Sequence, residues 1–141
     1  EKAYPQEVET IKVESVPYAK YVRMLKDSDI ILDQLYSYTP AMNALQAMAE
    51  GLVVVGGAEP EYYTLTEQQD LSTTHLRPII NVLPQEDSVY KELEKLVLKR
   101  QAINILRSQS REFVRKHHDY RKVARQHIDF WQSMIAVKGK P

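Results

Sequence analysis

The residues best placed to do chemistry lie in one short turn. Gln34 to Pro40 joins an apolar run, Asp29 to Asp33, to a stretch of helical periodicity that opens on Thr39 and Pro40. Thr39 is expected to cap the first turn, and Pro40 to fill the first helical position, where its missing N–H leaves nothing unpaired. Free backbone N–H groups and the positive end of the helix dipole would then face a pocket, a seat for phosphate or sugar hydroxyls. An ordinary connection between a strand and a helix has the same features, and the turn alone does not choose between the two. Other chemistries find less support. His117, His118 and His127 sit in helical segments without carboxylates at metal-ligand spacing, which favours surface or capping roles and no metal site. Tyr62 and Tyr63, with Glu59 and Glu61, could line the same pocket or pack a loop. No Ser/His/Asp order, phosphate-loop glycine motif or HExxH occurs. The chain has no cysteine, which excludes disulfides, thiolate catalysis and Cys-ligated zinc.

The elements that must hold this turn follow from periodicity. Thr10 to Val16 alternates polar and apolar residues and predicts a half-buried strand. Tyr18 to Lys26 predicts a helix with Tyr18, Tyr21, Val22 and Leu25 on one face. Asp29 to Asp33 predicts a strand covered on both faces. The helix from Thr39 ends near Glu50, with Gly51 as its left-handed stop. Leu52 to Val55 and Pro78 to Val82 predict two more buried strands, separated by an irregular surface loop from Ala58 to Arg77. Asp87 and Ser88 open a helical tail that continues to about Met134, broken near His117 to Asp119, with Val137 to Pro141 frayed. In this tail Trp131, on an amphipathic stretch, is expected in a core. Alternation of strand and helix implies an α/β fold with a mostly parallel, doubly wound sheet over residues 1–84 and a helical tail over 85–136. In such sheets ligands bind outside the carboxyl ends of the strands.

A chain of 141 residues supports one domain and not two full lobes. It opens at Glu1 without a methionine, and a fragment is expected. No apolar run approaches the length that spans a bilayer, and no leader with a cleavage site is evident. A cytoplasmic protein without a transmembrane segment is the simplest reading. Formal charge is zero but unevenly spread: residues 1–70 hold 5 Lys/Arg against 12 Asp/Glu, and residues 71–141 hold 14 against 7. The basic stripe from Lys91 to Arg125 raises nucleic-acid binding as a rival; a solvated helix face is preferred, and no nucleic-acid partner is expected.

Two runs together resemble a known family. The run KDSDIILDQL from Lys26 to Leu35, followed by ALQAMAEGLVVV from Ala44 to Val55, resembles the signature of retaining GT-B glycosyltransferases of the group 1 type. That signature is a strand reading sDi, a short polar loop, and a helix reading lEAMA-x-G-x-PVV. Arg111 to Asp119 with Val123 and Ala124 resembles the family's closing helices. The resemblance implies a Rossmann-like carboxy-terminal lobe holding a nucleotide-diphosphate sugar, with the acceptor held by an amino-terminal lobe that this chain lacks. It further implies hexosyl transfer of the kind used in bacterial polysaccharide biosynthesis, with no cofactor and no metal. By resemblance Ser15 and Val16 lie at the base; Ser37, Tyr38, Thr39, Pro40, Ala41, Met42 and Asn43 lie along the sugar and diphosphate; Gln46 meets the ribose hydroxyls. No catalytic residue is assigned.

The chain departs from the family pattern at the site. Tyr38 and Gln46 stand where the family carries a pair of glutamates, and Ser37, Pro40 and Ala41 replace loop glycines. An amide oxygen still accepts from a hydroxyl, but without the charge that strengthens the bond. The Arg/Lys pair that grips the diphosphate belongs to a part of the lobe expected to be missing. An inactive fragment follows, which could dimerise through exposed sheet edges. The alternative is a non-catalytic binding or interaction module on the same fold.

Overall fold

A computed structural model describes residues 2–138, leaving aside the side chains of residues 69, 137 and 138. Its element order is α1 (Tyr18–Lys26), β1 (Ile30–Leu32), α2 (Met42–Glu50), β2 (Val53–Gly56), α3 (Pro60–Gln69), a 3-10 turn (Leu71–Thr73), β3 (Ile79–Asn81), α4 (Glu86–Leu98), α5 (Arg100–His117) and α6 (Tyr120–Lys138). The three strands form one parallel sheet in the order β1-β2-β3. Ile30 pairs with Val53, and Val54 with Ile79.

The central strand explains the sheet. Val53, Val54 and Val55 are all buried, as a β-branched run covered on both faces must be. Val54 packs with Ala44 and Met48 of α2, Tyr63 of α3, Ile79 and Phe113 of α5. Val53 and Val55 point the other way, to Val82, to Leu96 of α4, and to Ile103 and Leu106 of α5. Apolar layers therefore lie on both faces of a small parallel α/β sheet. A third cluster, Leu25 with Ala47 and Leu52, seats α1 against α2.

Several expectations need correction. Thr10 to Val16 forms no strand: Ile11 is 50% exposed, and Ser15 takes a left-handed φ of 48°. Alternation specifies which side chains a strand would bury, but a strand also needs a ladder, and no described strand runs alongside this segment. The segment before it is held differently. The Tyr4 hydroxyl donates to Glu94 Oε1 of α4 at 2.6 Å, and this contact pushes the Tyr4 pKa up to about 12. Ala58 to Arg77 is not an irregular loop: it contains α3 and the 3-10 turn. The helical tail is broken at Lys99 as well as at His118 and Asp119, and α6 stays helical through Lys138, whereas residues 139–141 lie outside the described residues. Trp131 is not core; it is 61% exposed, like most of its helix. β1 is covered less than expected, with Leu32 exposed.

The amino ends of the strands are tied to α5. Gly51 ends α2 with φ 84°, and a Cβ there would meet the Arg111 guanidinium. Arg111 Nη2 donates to Glu50 O at 2.8 Å, and Arg107 Nε donates to Gly51 O at 2.8 Å. These guanidinium groups satisfy carbonyls that the helix end leaves unpaired. Arg107 also reaches Asp29 at 2.7 Å.

Candidate functional site

At the carboxyl ends of the strands the chain makes a tightly tied turn. Asp33 follows β1; its N–H donates to Val55 O, and its Oδ2 accepts from Ala41 N–H at 3.0 Å. One carboxylate thus pins the far end of an eight-residue excursion back onto the strand that began it. Within the excursion the Ser37 hydroxyl donates to Thr39 O at 2.7 Å and accepts from Thr39 N–H at 3.3 Å. The next βα turn lies against it: Gly57 N–H donates to Gln34 O, and Glu59 N–H donates to Tyr38 O at 3.1 Å. Gly57 is needed for this contact, since a Cβ there would fall 1.6 Å from Ser37 O. Asn81, at the end of β3, accepts Ala58 N–H at 2.9 Å and so ties the third strand end to the same edge.

The sequence placed the start of α2 two residues too early. Thr39 is not its cap, nor is Pro40 its first residue; the helix begins at Met42 with Ala41 at the cap position. The competing hydrogen bonds explain the shift. Ser37 occupies both backbone groups of Thr39, and Asp33 holds Ala41, so the chain cannot turn helical until Met42. The start of α2 has no side-chain cap and no acidic residue in its first turn. The Asp33 carboxylate on Ala41 N–H is the one acidic group shown at this helix end, and the N–H groups of the first turn beyond it have no side-chain cap.

Around this helix start stand exposed side chains. Tyr36 is 87%, Tyr38 77% and Met42 78% exposed, and Asn43 is exposed beside them. Gln46, one turn further on, is half-buried, and its Nε2 donates to the Tyr18 hydroxyl at 2.8 Å. Burial raises the Tyr21 pKa first, helped by the charge of Asp33 and by Tyr18. The Gln46–Tyr18 bond therefore sets the start of α1, with Ser15 and the half-buried Val16 just ahead of it, against α2 one turn from its start. The structure brings Ser37, Tyr38, Thr39, Pro40, Ala41, Met42 and Asn43 into one excursion and helix start, with Gln46 linked through Tyr18 to the segment that follows Ser15 and Val16.

Sequence reasoning missed three participants. Asp33 was visible as a carboxylate directly after an apolar run, the position from which it can reach back to a turn. Tyr18 was assigned to the helix's inner face, yet it is 69% exposed and partners Gln46. Asn81 carried no signal beyond its place at a strand end. Beside the turn, Leu35, Pro84, Val89 and Leu93 line a shallow, open apolar groove.

The remaining candidates settle elsewhere. Tyr62 and Tyr63 belong to the packing of α3, edge-on to each other at 5.4 Å and against Phe113 at about 6 Å. His118 Nε2 meets the Tyr62 hydroxyl at 3.0 Å, and His117 Nε2 meets Thr73 Oγ1 at 2.9 Å. Burial lowers the pKa of both histidines. No group of three or more His, Cys, Asp or Glu poised to hold a metal is found among the described residues. Of the basic stripe, Arg107 and Arg111 bond the end of α2, while Lys95 and Lys116 pair with Glu92 and Glu112 on their own helices. No described helix is long and apolar enough to cross a membrane.

Strand ends, a latched turn and a helix start without a side-chain cap thus meet at one edge of the sheet. No curated protein and no solved structure matches the chain. A family model described as glycosyl transferase-like matches residues 2–129, which is nearly the whole length. The chain belongs to the glycosyl transferase-like family.

Proposed function

We propose that this chain is the donor-binding part of a glycosyltransferase that moves a sugar from a nucleotide diphosphate to an acceptor. The observation that carries the reading is the uncapped start of α2 beside the turn held by Asp33 and Ala41. The first-turn N–H groups of α2 beyond Ala41 can donate to a diphosphate and to the charge that develops as that leaving group departs, with Asp33 fixing the turn beside them. Exposed Tyr36 and Tyr38 offer faces on which a sugar or a base can stack. In this reading Ser15 and Val16 contact the base, the segment from Ser37 to Asn43 follows the sugar and diphosphate, and Gln46 meets hydroxyls. Sugar transfer itself requires an acceptor lobe, and the chain alone is expected to bind the donor without turning it over. The fold of the complete enzyme is read as GT-B and its mechanism as retaining, following the resemblance of the two signature runs.

A non-catalytic module on this fold is the second reading. It is favoured by Gln46, an amide already engaged with Tyr18 at a position where the family pattern has a carboxylate. Calorimetric titration with a panel of nucleoside diphosphates and their glycosyl esters tests the first reading. Saturable binding, weakened about tenfold in Gln46→Ala by the loss of one hydrogen bond, is the expected outcome. A folded chain that binds none of the panel would overturn it. Turnover by the complete enzyme separates a catalyst from a module.

A further inference from the structure

We propose that α6 is a membrane-surface helix, which lies flat on an anionic lipid bilayer with its apolar side toward the acyl chains. From Tyr120 to Ala136 every residue is exposed except Val123, which is half-buried. A helix with so little tertiary cover has no core of its own to fill, yet its sequence is sharply two-sided. At about 100° per residue, Val123, Ile128, Phe130, Trp131, Met134 and Ile135 fall on one side. Lys122, Arg125, Asp129, Gln132 and Ser133 fall on the other. The apolar side takes up about half of the circumference, wider than the narrow seam that seals a pair of helices. Such a width suits a continuous apolar phase, as a helix lying in the plane of a membrane interface requires. Trp131 stands at the middle of that side, and its ring, apolar with one N–H, is suited to the boundary between headgroups and acyl chains.

Charge selects the kind of surface. The helix carries Arg121, Lys122, Arg125 and Lys138 against one acid, Asp129, which pairs with Arg125 at 3.3 Å. Arg121 Nε donates to the Tyr120 hydroxyl at 2.9 Å, and Lys122 Nζ donates to Lys116 O at 2.7 Å, both uncharged oxygens. The helix therefore keeps a net positive charge, and anionic headgroups are its complement. Arg121 borders the apolar side, about two turns ahead of Ile128, where its stem can follow the apolar surface and its guanidinium can reach a phosphate. Arg115, exposed in the last turn of α5, continues the basic character upstream. The helix lies on the bilayer and does not enter it, since no described helix is long and apolar enough to cross. Phe130, Trp131, Met134 and Ile135 stand beyond residue 129, where the family match ends, so this face is no requirement of the matched family pattern.

Trp131 is the only tryptophan of the chain, so its fluorescence reports on this face alone. The test titrates the whole chain with vesicles of phosphatidylcholine, and with vesicles that also hold phosphatidylglycerol, at low and at high salt. The expected result is a blue shift of Trp131 and its protection from an aqueous quencher with the anionic vesicles, weakening as salt rises. Arg121→Gln is expected to weaken that binding about fivefold, the worth of one cation near the surface. Ile135→Glu, which puts a charge into the apolar side, is expected to weaken it more than tenfold, roughly the loss of one buried apolar side chain. Ile135 is mostly exposed, and an unchanged thermal midpoint shows that the variant folds. A folded chain whose Trp131 stays in water with every vesicle overturns the proposal. Equal binding to neutral vesicles overturns the anionic assignment, and binding that Ile135→Glu leaves unchanged places the contact outside α6. If Trp131 is shifted without lipid, in a dimer that Ile135→Glu dissolves in the ultracentrifuge, a second copy covers the face and the lipid proposal falls. Nucleotide titrations are read separately, and the donor-site reading stands or falls on them alone.

Discussion

Of the described glycines, Gly57 has the closest neighbour: its missing Cβ makes room for Ser37 O. Gly57→Ala puts a methyl against backbone, which cannot rotate away. The loss in stability is expected to be about 2 kcal/mol, in the usual range for overpacking, and it is read from urea unfolding. An unchanged midpoint would mean that the Ser37 turn moves freely, against its description as latched. Gly51→Ala serves as a contrast, because there the neighbour is the flexible end of Arg111. Its cost, about 1 kcal/mol, comes mainly from the left-handed backbone, with the Arg111 guanidinium shifting to make room. The sequence made Gly51 legible as a helix stop, since a helix before it and a strand after it leave few other roles. It did not expose the need for Gly57, because that need arises from a carbonyl 20 positions away. Asp33 and Tyr18 were obscured for the same reason. Their partners, Ala41 and Gln46, are fixed only once β1, α1 and α2 are assembled.

The elements that periodicity located well are those whose burial is regular: α1 and α2 on one face, β2 on both, and β3 at the sheet's edge. α3 escaped notice because its inward positions are Tyr62, Tyr63 and Thr66, a stripe too polar to register as apolar. Tertiary contacts make it a core helix. The Tyr63 hydroxyl accepts Ile79 N–H at 3.1 Å, and Thr66 satisfies its own hydroxyl on Tyr63 O. α6 shows the opposite mismatch. Its apolar residues keep helical spacing, yet Phe130, Trp131, Met134 and Ile135 are all exposed. The family match ends at residue 129, inside this helix. With so little buried, α6 contributes little to the cohesion of the rest. A chain ending at Asp119 is expected to melt within about 2 °C of the full chain, a shift that small burial allows. A drop several times larger in a thermal scan would show that α6 is integral to the fold.

Across the whole molecule, the acidic first half and the basic second half are clasped together rather than kept apart. Tyr4 bonds Glu94, Arg100 bonds Glu7 O, and Arg107 spans Asp29 and Gly51. The charge asymmetry was plain in the sequence; that several of these cations end helices and pair across halves was not. Stability should also depend on pH through His117 and His118. Burial lowers the pKa of each below the ordinary 6.5, so the unfolded chain binds protons more readily than the folded one. Stability is then full above about pH 6.5 and falls as pH drops below it, until the folded histidines themselves protonate. Urea midpoints at pH 7.5 and 5.5 should differ in that direction, and His117→Gln, which keeps an amide for Thr73, should reduce the difference. A midpoint that rises on acidification would contradict the assignment. The sheet order has one further consequence, for how the chain acquires its shape. Because β1, β2 and β3 lie side by side in the order in which they occur, each new strand finds its neighbour already made, about two dozen residues upstream. A chain emerging from the ribosome can thus lay down its sheet one crossover at a time, without waiting for a distant segment.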